Sequence, residues 1–270
     1  MRPPIKFFGL KVIATSASVA ISSLVPASMA AATTIVDLEL FLSMDVSGSI
    51  SAAEFGLQKT GYVQAFQDAD IQAAIVSKPN GVAVALGQWS STANNPILGW
   101  NLLRTSADAN AFATAINGIS RLSNDLTCVA CGINAAVSAL QSNAYQGPSV
   151  IDVSGDGSQN LNASNGPTGT ATAPGARNAA AALGIKINGL PILGSESGLQ
   201  DWYINNVITT DGFVIPATSF NDFNLAVKRK IVREIAGDNA VPGPLPILGA
   251  CTAIGFSRRL RKRINIATLA

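Results

Sequence analysis

Residues Ile35 to Ser51 read IVDLELFLSMDVSGSIS, and this stretch decides the fold. Val36, Leu38, Leu40, Phe41, Leu42 and Met44 form an apolar run too dense for a strand with one solvated face, so they predict a central strand covered on both sides. The run stops at Asp45. From there Asp45-Val46-Ser47-Gly48-Ser49 places one carboxylate and two hydroxyls at alternating positions, and Gly48 lets the backbone turn so that all three oxygens can converge. Such a set suits a hard divalent cation: Mg²⁺, which keeps waters and uses only one or two carboxylates, or Mn²⁺ or Ca²⁺. Ser51-Ala52-Ala53-Glu54 follows as a capping box, so a helix is expected where the oxygen cluster ends. Taken alone, the five residues DVSGS could equally be an ordinary polar turn between strand and helix.

The 270 residues are 48% apolar and 13% charged and include no histidine, a composition that fits one good-sized globular domain with appendages. Without histidine, serine or cysteine catalysis by a His base, His-ligated zinc and imidazole pH switches are all excluded. Residues 1–30 carry Arg2, Lys6 and Lys11, an uncharged segment from Val12 to Val25, and small residues at Ser28 and Ala30. They read as a secretory signal cleaved after Ala30, with an uncleaved anchor as the alternative. Residues 238–270 hold the proline-rich Val241-Pro242-Gly243-Pro244-Leu245-Pro246, a short apolar stretch to Phe256, and the basic run Arg258-Arg259-Leu260-Arg261-Lys262-Arg263. This order of spacer, apolar segment and basic stop resembles the PEP-CTERM class of bacterial sorting tails, which implies handling by sorting or anchoring machinery at the membrane. Between Ala31 and that basic run lie ten basic and all 16 acidic residues, a net charge of −6. An acidic core without a basic stripe argues against nucleic-acid binding, which rests on phosphate neutralisation.

The region 31–237 alternates strand and helix patterns. After a first helix with Phe55, Tyr62 and Phe66 come a strand at Gly81–Trp89, a helix at Ala107–Ile119 and a polar loop at Arg121–Thr127. A helix at Cys128–Leu140 and a strand at Ser149–Ser154 follow, then a Gly/Ser/Asn/Thr/Pro loop from Gly155 to about Gly175 and an alanine-rich helix. Strands at Ile185–Leu193 and Gly212–Pro216 flank a helix within Ser195–Asn206. A final helix, Ser219–Ala236, puts Phe220, Phe223, Val227 and Ile231 on its inner face and Lys228, Lys230 and Arg233 outside, with Gly237 as its stop. The alternation predicts an α/β, doubly wound, mostly parallel central sheet with helices on both faces. Ligands in such folds sit outside the carboxyl ends of the strands at the topological switch point, and Asp45 and Asp156 both follow strand ends directly.

Asp45-x-Ser47-x-Ser49 after the first strand, the loop threonine Thr127 before a helix, and Asp156-Gly157 after a later strand resemble the metal-ion-dependent adhesion site of von Willebrand factor A-type domains. More narrowly, residues 35–237 are similar to a family of secreted bacterial A-domain proteins of unassigned function. The stretches that carry this likeness are Glu54 to Ala65, Ile151 to Gly157, and Ile187 to Leu190 together with Arg233 to Ile235. The resemblance implies a Rossmann-like fold. It implies that Ser47, Ser49 and Thr127 are direct oxygen ligands, and that Asp45 and Asp156 act largely through bound water.

Other patterns carry less. Asp152-x-Ser154-x-Asp156-Gly157 imitates the start of an EF-hand, but Ala163 stands where the bidentate glutamate belongs and a strand precedes it. Cys128-Val129-Ala130-Cys131 reads as a structural disulfide in an exported domain, with a catalytic dithiol as the alternative. Ser154 lacks the preceding glycine of a nucleophile elbow, and Asn162-Ala163-Ser164 is a commonplace glycosylation pattern. The expected function is therefore an exported or surface-associated, non-enzymatic binding module. It would grip an acidic group of a protein or polysaccharide through the cation. A metal-dependent hydrolase and a structural envelope component are the alternatives.

Overall fold

Every residue of strand β2 (Leu38–Asp45) is buried, the burial expected of a strand with protein on both faces. The structure is a computed structural model that describes residues 33–161 and 169–237. The expected signal segment 1–30, the tail 238–270 and the Asn162-Ala163-Ser164 pattern lie outside the described residues. Around β2 run β3 (Val82–Trp89), β4 (Ala93–Leu103), β6 (Ser149–Gly155) and β7 (Lys186–Pro191), in the spatial order β4-β3-β2-β6-β7. All neighbours pair in parallel except β3 and β4. Two-residue strands β1 (Thr34–Ile35) and β5 (Tyr145–Gln146) pair with each other apart from the main sheet.

Side chains alternate across the sheet and divide the interior in two. Leu40, Leu42, Val84 and Leu86 pack with α1 (Ala52–Gln67), α2 (Ala69–Val76), α3 (Ser106–Asn117) and α7 (Phe223–Ala236). Phe41, Trp89, Ile151 and Val153 pack with α4 (Val129–Gln141), α5 (Ala173–Ala182) and α6 (Leu199–Asn206). Edge-to-face contacts between Phe66 and Phe112, with centroids 4.9 Å apart, and between Tyr62 and Phe223, 5.4 Å apart, lock α1 to α3 and α7. This is the doubly wound α/β arrangement that the alternation predicts. The chain leaves β2 for β3 on one side and later returns to β6 on the other, so the switch point lies between the carboxyl ends of β2 and β6.

Four features differ from the sequence reading. An antiparallel edge strand, β4, occupies a segment whose Pro96 and Gly99 break any alternation, and register shifts along its pairing with β3 accommodate them. The first helix is two: Asp68 ends α1 and its side chain caps α2 by accepting from the Asp70 N–H at 2.9 Å. Gly212–Pro216 makes only an isolated parallel bridge, Val214 to Gly189, with a second at Ala217 to Ile192. Lys230 is not outside but fully buried. It lies three residues from Val227 on the same helix face, where Asp152 of β6 and Glu234 meet its ammonium at 2.7 and 2.6 Å. The remaining boundary features hold: the Ser51–Glu54 capping box forms, and Gly237 ends α7 at φ 87°.

Candidate metal centre

The loop leaving β2 builds the floor of the site. Asp45 is fully buried, its Oδ1 accepts the Ser47 N–H at 2.7 Å, and its carbonyl accepts from Gln58 Nε2 of α1 at 3.2 Å. This local turn aims the next hydroxyls upward. Ser47 Oγ lies 3.3 Å from Ser49 Oγ, and Thr127 Oγ1 donates to Ser47 Oγ at 3.3 Å. Ser49 Oγ donates to Asp156 Oδ1 at 2.7 Å, and Ser195 Oγ donates to Asp156 Oδ2 at 3.2 Å. Asp45, Ser47, Thr127 and Asp156 are buried and Ser49 is exposed, so the cluster opens to solvent at Ser49.

A second loop clamps the first. Arg121 donates to the carbonyls of Val46 (2.9 Å), Ser47 (2.7 Å) and Ser123 (2.8 Å), which ties residues 121–127 to the turn after β2. Gly48 donates its N–H to the Asp125 carbonyl at 2.7 Å, and a Cβ there would stand 2.9 Å from the Asn124 carbonyl, so this close approach requires glycine. Thr127 is fixed by its neighbours: its N–H donates to Asn160 Oδ1 at 2.8 Å and its carbonyl accepts the N–H groups of Asn160 and Leu161. Directly after it, Cys128 and Cys131 form a disulfide with Cα atoms 5.2 Å apart, across the first turn of α4.

The donor set fits a small hard cation. An ion with oxygen ligands at about 2.1 Å in octahedral geometry holds adjacent ligands about 3 Å apart, close to the spacing of these hydroxyls. Asp45 Oδ2 makes no hydrogen bond of ordinary geometry although it is buried. No group of three or more Asp, Glu, His or Cys side chains suited to a metal occurs among the described residues. Three hydroxyls and two carboxylates together supply the oxygens here. Burial pushes the Asp45 carboxyl up to about 7, against the opposing hydrogen bonds from Ser47 and with help from the nearby charge of Asp156. Burial also raises Asp156, partly offset by the hydroxyls of Ser49 and Ser195. Each carboxylate would regain its charge beside a cation.

All five residues expected from the sequence, Asp45, Ser47, Ser49, Thr127 and Asp156, come together. Asp152 and Ser154 do not join them: Asp152 pairs with Lys230, and Ser154 Oγ lies 3.1 Å from the Tyr62 hydroxyl, so the EF-hand imitation is only a strand. Sequence reasoning missed Arg121, Ser195 and Glu196, whose Oε2 accepts the Ser158 N–H at 2.6 Å beside Gly157. Ser195 and Glu196 follow the carboxyl end of β7, a position that marks crevice loops in this architecture. Arg121 carries no such signal.

The chain matches the family described as Protein of unknown function (DUF1194) over residues 35–239. No curated protein matches it. Among solved structures it is similar to proximal thread matrix protein 1 from the mussel byssus, described with a zinc occupied MIDAS motif, at TM-score 0.55 and 13% identity over 76% of this chain and 49% of that one. It is similar to the pilus adhesin SpaC from Lactobacillus rhamnosus GG at TM-score 0.54 and 15% identity over 76% and 31% of the two chains. A von Willebrand factor type A protein from Catenulispora acidiphila gives TM-score 0.52 and 11% identity over 74% and 42%. The chain thus spans about half the length of these structures or less. The likeness is one of fold, that of a von Willebrand factor A-type domain.

Proposed function

The chain belongs to the family described as Protein of unknown function (DUF1194), and from its site we propose that it is a metal-dependent binding module that holds an acidic group of a protein or polysaccharide partner. Ser47, Ser49 and Thr127 would hold a divalent cation, Mg²⁺, Mn²⁺ or Ca²⁺, directly, with Asp45 and Asp156 acting mainly through water. When bound, the ion supplies a positive charge at the solvent-facing mouth that a carboxylate or sulfate can approach. The observation that carries this reading is the convergence of three hydroxyls from two loops on two buried carboxylates. The zinc occupied motif named for the mussel protein supports it by analogy of fold.

We read the module as non-enzymatic. Asp45 and Asp156 are the acid–base candidates at the centre, and each is held by hydrogen bonds within the cluster. If the signal and sorting tail act as expected, the protein works outside the cytoplasm, at the envelope or beyond, and the pilus adhesin among the similar folds supports that setting. No helix among the described residues is long and apolar enough to cross a membrane. The test is capture of surface material from the native cell by wild type and Asp45→Ala, each with and without chelator. Capture that requires both Asp45 and free divalent ion is the expected result; equal capture in all four conditions would overturn the reading.

A further inference from the structure

Two buried polar atoms beneath the centre lack a hydrogen bond of ordinary geometry: Asp45 Oδ2 and the Tyr203 hydroxyl, both on residues that are fully buried. They flank one glycine. A Cβ at Gly155, the last residue of β6, would stand 2.7 Å from Asp45 Oδ2 and 2.8 Å from the Tyr203 hydroxyl, so the absent side chain is what lets both oxygens border the same small space. Gly155 has no positive φ, and its role is therefore space rather than backbone conformation.

A second glycine brings the tyrosine there. A Cβ at Gly189 on the neighbouring strand β7 would stand 2.8 Å from Tyr203 Cδ1. Gly155 and Gly189 lie on the same face of the sheet, on paired strands, and together they form a trough for the phenol ring of α6. The ring fills the trough and its hydroxyl emerges beside Asp45. The chemistry is complementary: a neutral phenol donates and a carboxylate accepts, and a buried group of either kind is stabilised by finding such a partner.

We propose that Tyr203 is a positioning residue for the metal centre, its hydroxyl donating to Asp45 Oδ2 beside Gly155 through one water, while Ser47 holds Oδ1. The carboxylate is then fixed at both oxygens, and its rotation cannot dissipate the arrangement of the hydroxyls above it. The inference rests on the metal-binding reading of the site, and its test separates the two.

The experiment is calorimetric titration of Mg²⁺ into the full-length protein as wild type, Tyr203→Phe and Thr127→Ala, with thermal midpoints in chelator measured alongside. Phenylalanine keeps the ring in its trough. Removal of an outer hydrogen-bond partner that orients the groups of a metal site weakens affinity by about 10-fold or more. The expected result for Tyr203→Phe is therefore Mg²⁺ affinity about 10-fold weaker, with a chelator-treated midpoint no lower than wild type. Mg²⁺ binding that disappears in Thr127→Ala but is unchanged in Tyr203→Phe would overturn the positioning role and leave the metal centre standing. Loss of midpoint in Tyr203→Phe without loss of affinity would make the tyrosine merely structural. A wild type that binds no Mg²⁺ would overturn both readings.

Discussion

Replacing Lys230 by methionine removes one positive charge from the sealed interior and leaves its volume almost unchanged. Its ammonium sits 2.7 Å from Asp152 Oδ1 and 2.6 Å from Glu234 Oε1, all three side chains are fully buried, and Asn188 Nδ2 donates to the same Glu234 oxygen at 2.9 Å. Asp152 Oδ2 and Glu234 Oε2 make no hydrogen bond of ordinary geometry, so without the lysine Glu234 keeps only Asn188 and Asp152 has no substitute. Breaking a buried ion pair by removing one partner destabilises by about 3–5 kcal/mol, out of a total stability of about 5–15 kcal/mol for a domain. Lys230→Met should therefore lose a large part of its stability at neutral pH, read as the midpoint of urea unfolding. The loss should shrink as pH falls through about 7, because protonation neutralises the stranded Glu234 carboxyl. Burial already pushes Glu234 up to about 7, with Asp152 adding to the rise and Lys230 opposing it. Adding Asp152→Asn and Glu234→Gln to Lys230→Met should recover most of the loss. A Lys230→Met variant less than about 1 kcal/mol below wild type at pH 7, or one whose deficit ignores pH, would refute this account of the buried network.

Other predictions concern the site and the ends of the chain. Asp45 rises from 3.8 and Glu234 from 4.5, each to about 7, so the folded protein keeps protons that the unfolded chain has released. In chelator its stability should fall as pH climbs from about 4 to about 7 and then level off, which thermal midpoints across that range will show. Mg²⁺ favours ionised Asp45, so its affinity should drop about tenfold for each pH unit below 7; a flat profile by calorimetry would remove Asp45 from the centre. Arg121→Ala frees the carbonyls of Val46 and Ser47 from their clamp and should weaken Mg²⁺ binding with little change in the midpoint measured in chelator. Intact-mass analysis of native protein should show loss of the first 30 residues, and recovery of Met1 on soluble cytoplasmic protein would contradict export.

Much of this arrangement was legible because local chemistry and topology agree. The β2 run has no polar face, DVSGS follows it without a gap, and the SVIDVS strand leads straight to Asp156-Gly157, so strand ends and oxygen donors coincide. What escaped reading depended on contacts between distant segments. Arg121 looks like any loop arginine until the Val46 and Ser47 carbonyls stand before it, 75 and 74 residues away in sequence. Lys230 has the helical spacing of an inner residue, and its charge argued for the outside until Asp152 and Glu234 were seen to enclose it. Tyr203 could be read as core, but its hydroxyl gains meaning only from Gly155 on another element. The edge strand β4 escaped because Pro96 and Gly99 erase the alternation that marks a strand, and pairing with β3 restores it.

The central claim is that three hydroxyls and two buried carboxylates hold a cation able to take an acidic ligand. Neutral hydroxyl ligands leave much of the ion's charge uncompensated, so metal and acidic partner should each tighten the other by the same factor. Calorimetric titration of Mg²⁺ with and without a model carboxylate tests this most directly. The account predicts one site per chain, lost in Asp45→Ala, with higher Mg²⁺ affinity when the carboxylate is present. Equal affinity in both conditions, together with undiminished partner binding in chelator, would show that the cluster is only a polar turn.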